Sequence, residues 1–328
     1  MKNLKIKKWT LFVIIIFLFF TIWFFPEPKY VDMSMESLPV KIRDNQISFL
    51  TANLGNSNLR CQKYFWKLCI PEVERRITEE ISNLQPDIVV FQEILSSPLC
   101  EESGFHDNGV CELNSRMQSE QISRLLGEGY TIVCDSNQHM QCIGVKSKFA
   151  RVLDCPLDCV CMNGRTIPII ENCNQNFTIF AVSIETKNQK QIDLVNVHLN
   201  SRSDTCREKM FVELFNPQNE ILVNSEILIA GDFNIDLYKS NKQSSIVIEQ
   251  LLLTKKDFHM HEVLDDDFEP ITTFQFGPYQ RTLDYIFSNF LIGEVVALGA
   301  SDKTIRLDGG SGMDHTALFG VFEIIEDQ

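Results

Sequence analysis

The order of the segments between Ile47 and Glu93 constrains the fold more than any other feature of the sequence. The stretch ISFLTANLGN (Ile47–Asn56) predicts a strand, and PDIVVFQE (Pro86–Glu93) predicts another. Between them, PEVERRITEEISNLQ (Pro71–Gln85) predicts a helix, because proline stands in its first turn and apolar residues recur every three or four positions. A strand, a helix and a second strand at this spacing favour a layered α/β arrangement.

Segments of the same two kinds continue towards the C-terminus. The stretch between residues 134 and 173 is rich in cysteine and is expected to be irregular or short-stranded. Two packed sheets flanked by helices would use all of the segments in one domain. Further helices are predicted at Ser115–Leu126, near Cys206–Leu214 and at Ser244–Leu253. Further strands are predicted at Phe177–Glu185, Gln191–Ser201, Glu226–Asn234, Arg281–Asn289 and His315–Ile325.

The run Trp9–Phe25 is apolar except for two threonines, with four lysines before it and Pro26 after it. As a helix it would span roughly 25 Å, close to the thickness of a bilayer's hydrocarbon core. We therefore expect an uncleaved signal anchor, with one transmembrane helix, in residues 1–27. A linker in residues 28–43 and an extracytoplasmic domain in residues 44–328 would follow. A cleaved signal peptide, which would release a secreted protein, is the alternative.

The sequence contains eleven cysteines, all of which follow the apolar run. Such a density after a translocation signal indicates disulfides in an oxidising compartment, although sequence does not determine their connectivity. An odd number leaves at least one thiol unpaired within a monomer. A zinc site is the rival interpretation of Cys155, Cys159 and Cys161, but their spacing has no second matching pair. Close spacing suggests the local pairs Cys61–Cys69, Cys100–Cys111 and Cys134–Cys142.

Polar residues that can bind a metal or carry a proton recur near the ends of the predicted strands. Each one alone also has a structural interpretation, such as a turn residue or a hydrogen-bonded buried histidine. Their joint recurrence favours a common site, because ligands of α/β folds gather at strand ends. Since side chains alternate along a strand, Asp232 and Asn234 are expected to face the same side. The residues are Asn53, Glu93, His198, Asp232, Asn234, Asp284, Asp314 and His315.

The motifs TANLGN, FQE, VNVHLNS, GDFN, RTLDYIF and SGMDH occur in this order, and together they resemble the endonuclease/exonuclease/phosphatase superfamily. The resemblance extends from about Ile47 to Glu326. That superfamily includes pancreatic deoxyribonuclease, apurinic-site endonucleases, inositol polyphosphate 5-phosphatases and neutral sphingomyelinases. The resemblance implies a four-layer α/β sandwich, in which two packed mixed β-sheets are flanked by helices. In this chain the sandwich would follow the N-terminal transmembrane helix.

The resemblance also implies a metal site. Glu93 would be the main ligand of Mg²⁺, with Mn²⁺ as an alternative ion, and Asn53 and Asp314 would lie near the metal. This set suits Mg²⁺, which is a hard cation that takes one or two carboxylates and keeps several of its waters. The ion would neutralise charge on the phosphate and stabilise the leaving oxygen.

The remaining motif residues would carry the chemistry. By the resemblance, Asp232 and Asn234 orient the phosphate and the attacking water, and His198 contacts a phosphate oxygen and assists the leaving group. His315 is the general base, oriented by Asp284, and a carboxylate on one ring nitrogen would fix its tautomer. Whether Asp232 or His315 takes the proton from water stays open.

The resulting expectation is a Mg²⁺-dependent phosphoester hydrolase, with its catalytic domain in residues 44–328. Its substrate would be a nucleic acid or a phospholipid head group, and the chain is expected to act as a monomer tethered to the membrane by its anchor. The net charge of −14 argues against a basic groove that wraps a polyanion, although a bound cation can supply local positive charge. Two alternatives are a membrane-tethered, non-catalytic binding module of the same fold and a disulfide-rich interaction ectodomain. A module without catalysis would be expected to lose Glu93 or His315, and the sequence keeps both.

Overall fold

The computed structural model describes residues 46–56, 58–103, 110–117, 120–135, 141–174, 176–239, 242–255, 258–264, 268–276, 279–298 and 313–325. The anchor predicted in residues 1–27 and the linker in residues 28–43 lie outside the described residues. None of the described helices combines the length and the apolar composition that crossing a membrane requires.

The described strands, numbered in chain order, form two large mixed sheets and one hairpin. The first sheet has the spatial order β15 (Leu291–Leu298), β16 (Ala317–Ile324), β1 (Gln46–Asn53), β2 (Ile88–Gln92), β4 (Cys142–Lys146), β3 (Tyr130–Cys134) and β6 (Val160–Cys161). The second has the order β11 (His259–Met260), β14 (Asp284–Ser288), β10 (Glu226–Asp232), β9 (Gln191–His198), β8 (Thr178–Thr186) and β5 (Ala150–Val152). Strand β7 (Arg165–Thr166) also pairs with β8, and β12 (Phe274–Phe276) and β13 (Tyr279–Arg281) form the hairpin.

Buried side chains join the two sheets face to face. Phe49 and Val90 of the first sheet belong to the same buried cluster as Phe180 and Leu194 of the second. Strands β1 and β2 run parallel in the first sheet, as β9 and β10 do in the second. These four strands are buried along almost their whole length, which is why they read as continuous apolar runs.

The helices pack on the outer faces of the sheets. Val73 and Ile77 of the first helix join a cluster with Leu50 of β1, whereas Phe211 and Ile248 of the last two helices join one with strands of the second sheet. The predicted mixed α/β architecture with two large sheets is therefore confirmed. The α-helices are α1 (Pro71–Leu84), α2 (Ser97–Ser103), α3 (Val110–Met117), α4 (Gln121–Leu126), α5 (Asp204–Leu214) and α6 (Gln243–Lys255). Two 3₁₀ helices are Leu59–Tyr64 and Pro217–Asn219.

Helix α1 shows how local sequence determines an element. Pro71 occupies the first turn, where its missing N–H group leaves no hydrogen bond unmade. Ile77 and Ile81 are each 1% exposed, and burying such a side chain contributes about 1.5–3 kcal/mol. The helix ends at Gln85, which adopts a left-handed conformation and donates its backbone N–H to the Ile81 carbonyl at 2.8 Å.

Several elements differ from the sequence predictions, and two of the differences have a clear physical reason. The helix predicted at Ser115–Leu126 is divided into α3 and α4, because Glu120 has an extended backbone and caps α4. Strand β15 was not predicted, since it lies at the sheet edge and exposes Ile292, Gly293 and Glu294, which obscures any regular apolar pattern.

The cysteines form five pairs at bonding distance. The three pairs suggested by spacing are present, and two more join Cys155 to Cys161 and Cys173 to Cys206. Cys159 is left unpaired among the described residues, and it is exposed. Because Cys155 and Cys161 bond to each other, these three cysteines do not form the rival zinc site.

Candidate active site

Three predicted site residues stand side by side on the second sheet. The last residue of β10, Asp232, is in register with His198 at the end of β9 and with Asp284 at the start of β14. The register follows from the pairing of buried apolar strands, so the core of the sheet fixes how far apart these side chains start. All three are at least 97% buried.

The glycine before Asp232 is required by this arrangement. Gly231 has φ +134°, a conformation that residues with side chains rarely adopt. A β-carbon there would lie 2.1 Å from the carbonyl oxygen of Val197 and 2.8 Å from Nε2 of Gln92. The GDFN motif therefore needs its glycine so that β9, β10 and β2 can approach one another beneath the site.

The turn after β10 brings Asn234 back to Asp232. The Asp232 side chain accepts the backbone N–H of Asn234 at 2.7 Å and its amide N–H at 2.8 Å. Asn234 has φ +52°, and its amide also donates to the Leu199 carbonyl. The two side chains thus meet, but through a turn rather than through the strand alternation expected from sequence, because β10 ends at Asp232.

The first sheet contributes Asn53 and Glu93 to the same place. Asn53 ends β1 in register with Gln92, and Glu93 follows directly with φ +61°. A left-handed glutamate costs of order 1–3 kcal/mol and persists only where the surrounding structure holds it. Here it follows a fully buried strand that is paired on both sides, so the strain accompanies a fixed position for the carboxylate.

Asp232 lies at the centre of the group. Its Oδ2 accepts an amide N–H of Asn53 at 3.1 Å, which links the two sheets. The same oxygen is 3.7 Å from Nε2 of His198 and 3.8 Å from Nε2 of His315. Glu93 Oε1 is 3.6 Å from that His198 nitrogen. The last three distances exceed a hydrogen bond, and they define a narrow space bounded by acids and imidazoles.

His315 is held by an aspartate, as the resemblance implies. Its Nδ1 lies 2.8 Å from Oδ2 of Asp284, so Nε2 is directed towards Asp232. The backbone N–H of Asp284 donates to the hydroxyl of Thr273, and the ring of Phe274 lies 5.0 Å from the His315 ring. This is the arrangement in which a carboxylate sets the tautomer and orientation of a histidine.

Burial and mutual charge perturb the acids and the histidine. Burial is the largest influence on Asp232 and raises its pKa to about 7. Burial also dominates at Asp314 and raises its pKa to about 6. For His315, burial alone would lower the pKa, but the charges of Asp284, Asp232 and Asp314 outweigh it and raise the pKa to about 10. Shifts of this kind are typical of functional sites.

Glu93 behaves differently from the other acids. Burial would raise its pKa, but the positive charges of Lys67 and the two histidines lower it. Its side chain is 22% exposed, compared with 2% for Asp232. Glu93 is therefore the ionised acid at the open side of the site, where a hydrated cation can reach it.

The oxygen donors of the site fit a divalent cation. Oδ1 of Asp314 is buried and has no hydrogen-bond partner among the described residues, which is costly for a carboxylate unless a cation satisfies it. Gly55 lies directly against these donors, since a β-carbon there would lie 2.5 Å from Oδ1 of Asp314 and 3.3 Å from Oδ1 of Asn53. Glu93 and Asp314 provide the hard oxygen ligands that Mg²⁺ and Mn²⁺ accept.

A second cluster also has metal-like spacing. Ligand atoms of Asp232, Asp284 and His315 lie within 4.8 Å of one another. Nδ1 of His315 is already bonded to Asp284, so a metal bound by all three residues would have to replace that contact or use Nε2. In its present orientation Asn53 turns its amide nitrogen towards Glu93 and Asp232, while its oxygen accepts the N–H of Gly55. Asn53 thus holds the carboxylates, and its assignment near the metal stays a prediction.

The eight predicted residues are brought together, but sequence reasoning missed three others. Gln92 and Asn196 are fully buried and hydrogen-bond across the two sheets at 2.9 Å, one residue before Glu93 and two before His198. Lys67 is 1% exposed, and its charge acts on Glu93. Each had a signal in the sequence, because each is a polar residue within a run of apolar ones.

Comparison with known proteins tests the resemblance seen in the sequence motifs. The sequence model of the Endonuclease/Exonuclease/phosphatase family matches residues 50–302. No curated protein matched the chain. The fold is similar to an endonuclease/exonuclease/phosphatase from Bacteroides vulgatus, at 14% identity and a TM-score of 0.56, over 85% of this chain and 99% of that one.

Two further structures share the fold. The human Nocturnin catalytic domain with bound sulfate anion has 18% identity and a TM-score of 0.55, over 87% of this chain and 96% of that one. D. rerio TDP2, complexed with single strand DNA product, has 13% identity and a TM-score of 0.53, over 84% of this chain and 98% of that one. At these identities the similarity shows the fold alone.

Proposed function

Because the chain belongs to the endonuclease/exonuclease/phosphatase family, we propose that it is a divalent-metal-dependent phosphoester hydrolase. The observation that carries the proposal is the convergence of Glu93, Asp232 and His315 from three different strand ends. One oxygen of Asp232 lies 3.8 Å from His315, and both that oxygen and the Glu93 carboxylate lie within 3.7 Å of His198. A phosphorus centre with an attacking water needs acids, a base and a cation site in one such space.

The residues divide into a metal side and a proton side. Glu93 and Asp314, with Asn53 beside them, would hold Mg²⁺ or Mn²⁺, and the bound ion would neutralise charge on the phosphate oxygens. Asp232 and Asn234 would orient the phosphate and the water. Asn53 hydrogen-bonds to Glu93 and Asp232, Asp232 hydrogen-bonds to Asn234, and Asp314 lies with Asn53 against Gly55.

The His315–Asp284 pair would handle the proton of the attacking water. Asp284 keeps the Nδ1 proton in place, so Nε2 is the atom that faces Asp232 and exchanges a proton. Without a bound cation, the charges of the neighbouring acids raise the pKa of His315 and keep it protonated at neutral pH. A cation held beside those acids would offset their charge, so that Nε2 could accept a proton. Metal binding would then be coupled to proton transfer.

His198 would assist the leaving oxygen. Its Nε2 faces both Glu93 and Asp232, and the edge of the Phe177 ring packs against it with ring centroids 4.8 Å apart. A histidine clamped in this way can donate one hydrogen bond to a phosphate oxygen or to the departing group. His198 lies near Glu93 and His315 is bonded to Asp284, and these different partners support separate roles for the two histidines.

The substrate class is proposed as a phosphodiester of a nucleic acid or of a phospholipid head group. A nucleic acid finds support in the D. rerio TDP2 structure, which holds single strand DNA product. A lipid head group would suit a chain tethered through an N-terminal anchor, which we propose places the catalytic domain outside the cytoplasm. The chain would act as a monomer, since every motif residue of the site comes from one copy.

The test is hydrolysis by protein produced in an oxidising compartment. Bis-p-nitrophenyl phosphate, plasmid DNA and sphingomyelin vesicles would each be incubated with Mg²⁺, with Mn²⁺ and with EDTA. We expect at least one substrate to be hydrolysed with metal and none with EDTA, and Glu93→Gln to lower turnover by about a hundredfold or more. Glu185→Gln, which removes a surface carboxylate paired with Arg151, is the matched control. Turnover that survives EDTA and Glu93→Gln would show that the proposal is wrong.

A further inference from the structure

A loop closed by the Cys61–Cys69 pair turns a lysine into the core beside the site. The loop contains the 3₁₀ helix Leu59–Tyr64, followed by Phe65 and Trp66, which both adopt left-handed conformations. These two residues reverse the chain, and the backbone N–H of Trp66 returns to the Cys61 carbonyl at 3.0 Å. Lys67 comes next and is 1% exposed.

The backbone pairing of Lys67 places it next to the metal side of the site. Lys67 forms an antiparallel bridge with Gly55, and Leu68 donates its N–H to the Leu54 carbonyl at 3.1 Å. Gly55 lies directly against Asp314 and Asn53, since a β-carbon there would meet both side chains. The loop therefore pairs with the chain just beyond the end of β1.

The side chain is buried, and one acid of the site acts on its charge. Burial lowers the pKa of Lys67, while the charges of Glu93, which belongs to the site, and of Asp135 oppose that shift. Asp135 already accepts the backbone N–H of Gln141 at 2.9 Å. Glu93 would share its charge with the metal ion. A buried ammonium group is costly unless it is paired, and an anion bound beside Glu93 would pair it.

The motif residues of the site include more acids than basic side chains. Glu93, Asp232, Asp284 and Asp314 place four carboxyl groups, against two histidines, where a negatively charged phosphate would bind. The protein as a whole carries a net charge of −14, so its surface does not draw in an anion. A fixed ammonium group on the metal side would offset repulsion at that point, and it would form charge-assisted hydrogen bonds with phosphate oxygens.

We propose that Lys67 is a phosphate-binding residue, presented by the disulfide-closed loop to contact a nonbridging oxygen of the substrate beside Glu93. The proposal rests on the proposed function, because it assigns a ligand group to the same site. It concerns the phosphate common to nucleic acid and lipid substrates, so it holds for either class. The rival explanation is a purely structural ion pair between Lys67 and Asp135.

The experiment compares Lys67→Met with Lys63→Met in the full chain. Lys63 lies in the same loop, where its ammonium group packs over the Tyr64 ring, so it controls for a lost lysine. The measurements are kcat and KM with bis-p-nitrophenyl phosphate, the inhibition constant of inorganic phosphate, and Tm with and without inorganic phosphate. For Lys67→Met we expect kcat/KM to fall and the phosphate inhibition constant to rise by about ten- to a hundredfold. Tm without phosphate should be unchanged or higher, and Lys63→Met should match the wild type.

Two results would overturn the proposal. Unchanged kcat/KM and phosphate inhibition in Lys67→Met would show that the lysine does not bind phosphate. A lower Tm with unchanged kinetics of the folded protein would show the structural pair with Asp135 instead. If Lys67→Met does not fold, Lys67→Gln provides the same comparison. If the wild type hydrolyses no substrate, the proposed function fails, but the phosphate-dependent rise in Tm of wild type and variant still decides whether Lys67 binds the anion.

Discussion

Replacing Asp284 by asparagine tests whether the pair with His315 transfers a proton. The two side chains have nearly the same shape, and Asp284 is 3% exposed, so the change removes a charge without opening a cavity. Oδ2 of Asp284 accepts the Nδ1 proton of His315 at 2.8 Å, while Oδ1 has no hydrogen-bond partner among the described residues. The new amide either accepts that proton as a neutral group or donates to Nδ1, which moves the histidine proton to Nε2.

Both outcomes have a predictable magnitude. A hydrogen bond to a charged group contributes about 1.5–3 kcal/mol and a neutral one about 1 kcal/mol, so the free energy of unfolding should fall by about 1–2 kcal/mol. Catalysis should lose more, because a positioned general base contributes typically 10²–10⁴-fold. Asp284 is also the largest influence that raises the pKa of His315. Without the charge of Asp284, the pKa of His315 should fall below its value of about 10 in the unaltered protein.

The assay combines kinetics with a direct titration. We expect Asp284→Asn to lower kcat by about 10²–10⁴-fold, with a smaller change in KM. An NMR titration of the metal-free protein should show the pKa of His315 falling. Asp87→Asn is the control, because Asp87 is a buried carboxylate that binds Ser48 near the other end of β1. An unchanged kcat in Asp284→Asn, with the pKa of His315 lowered as expected, would refute the role of the pair in proton transfer.

Two further predictions concern stability. Gly231→Ala should lower the free energy of unfolding by on the order of 3 kcal/mol, because the new β-carbon would lie 2.1 Å from the Val197 carbonyl oxygen and φ is +134°. Urea unfolding measures the change, and a loss under about 1 kcal/mol would contradict the prediction. Burial lowers the pKa of His261 from its ordinary 6.5 to about 4. As the pH falls, the unfolded state therefore binds the proton before the folded state does, and stability should be lost between about pH 6.5 and pH 4. The expected loss is on the order of 3 kcal/mol, and His261→Gln, which keeps a polar group near Ser288, should lack that part of the pH dependence.

The motif residues could be predicted from the sequence because each stands at the end of a buried strand. Apolar segments such as Glu226–Asp232 signal the strand, and the pairing of strands then determines which ends meet. Sequence therefore identified His198, Asp232 and Asp284 without any knowledge of their register. Family resemblance added the roles, which geometry supports through the His315–Asp284 contact at 2.8 Å.

The residues that sequence missed depend on contacts between distant segments. Lys67 pairs with Gly55 because two left-handed residues and a disulfide turn its loop back towards the end of β1. The hydrogen bond between Gln92 and Asn196 joins positions 104 residues apart and forms only when the two sheets pack. Periodicity reports which residues are buried in one element, but it does not report which polar groups find partners in another.

The strain at the site is explained by the sheets beneath it. Glu93 adopts a left-handed conformation directly after a buried strand, at a cost of order 1–3 kcal/mol. Its own hydrogen bond does not force this conformation, since Glu93 accepts it from Asn53 at a long 3.5 Å. We infer that the constraint comes from the core beneath the site, where the Gln92 and Asn196 side chains hydrogen-bond across the two sheets one residue before Glu93. It follows that Gln92→Leu, which leaves every motif residue in place, should loosen Glu93 and weaken metal binding more than it alters the chemistry at His315.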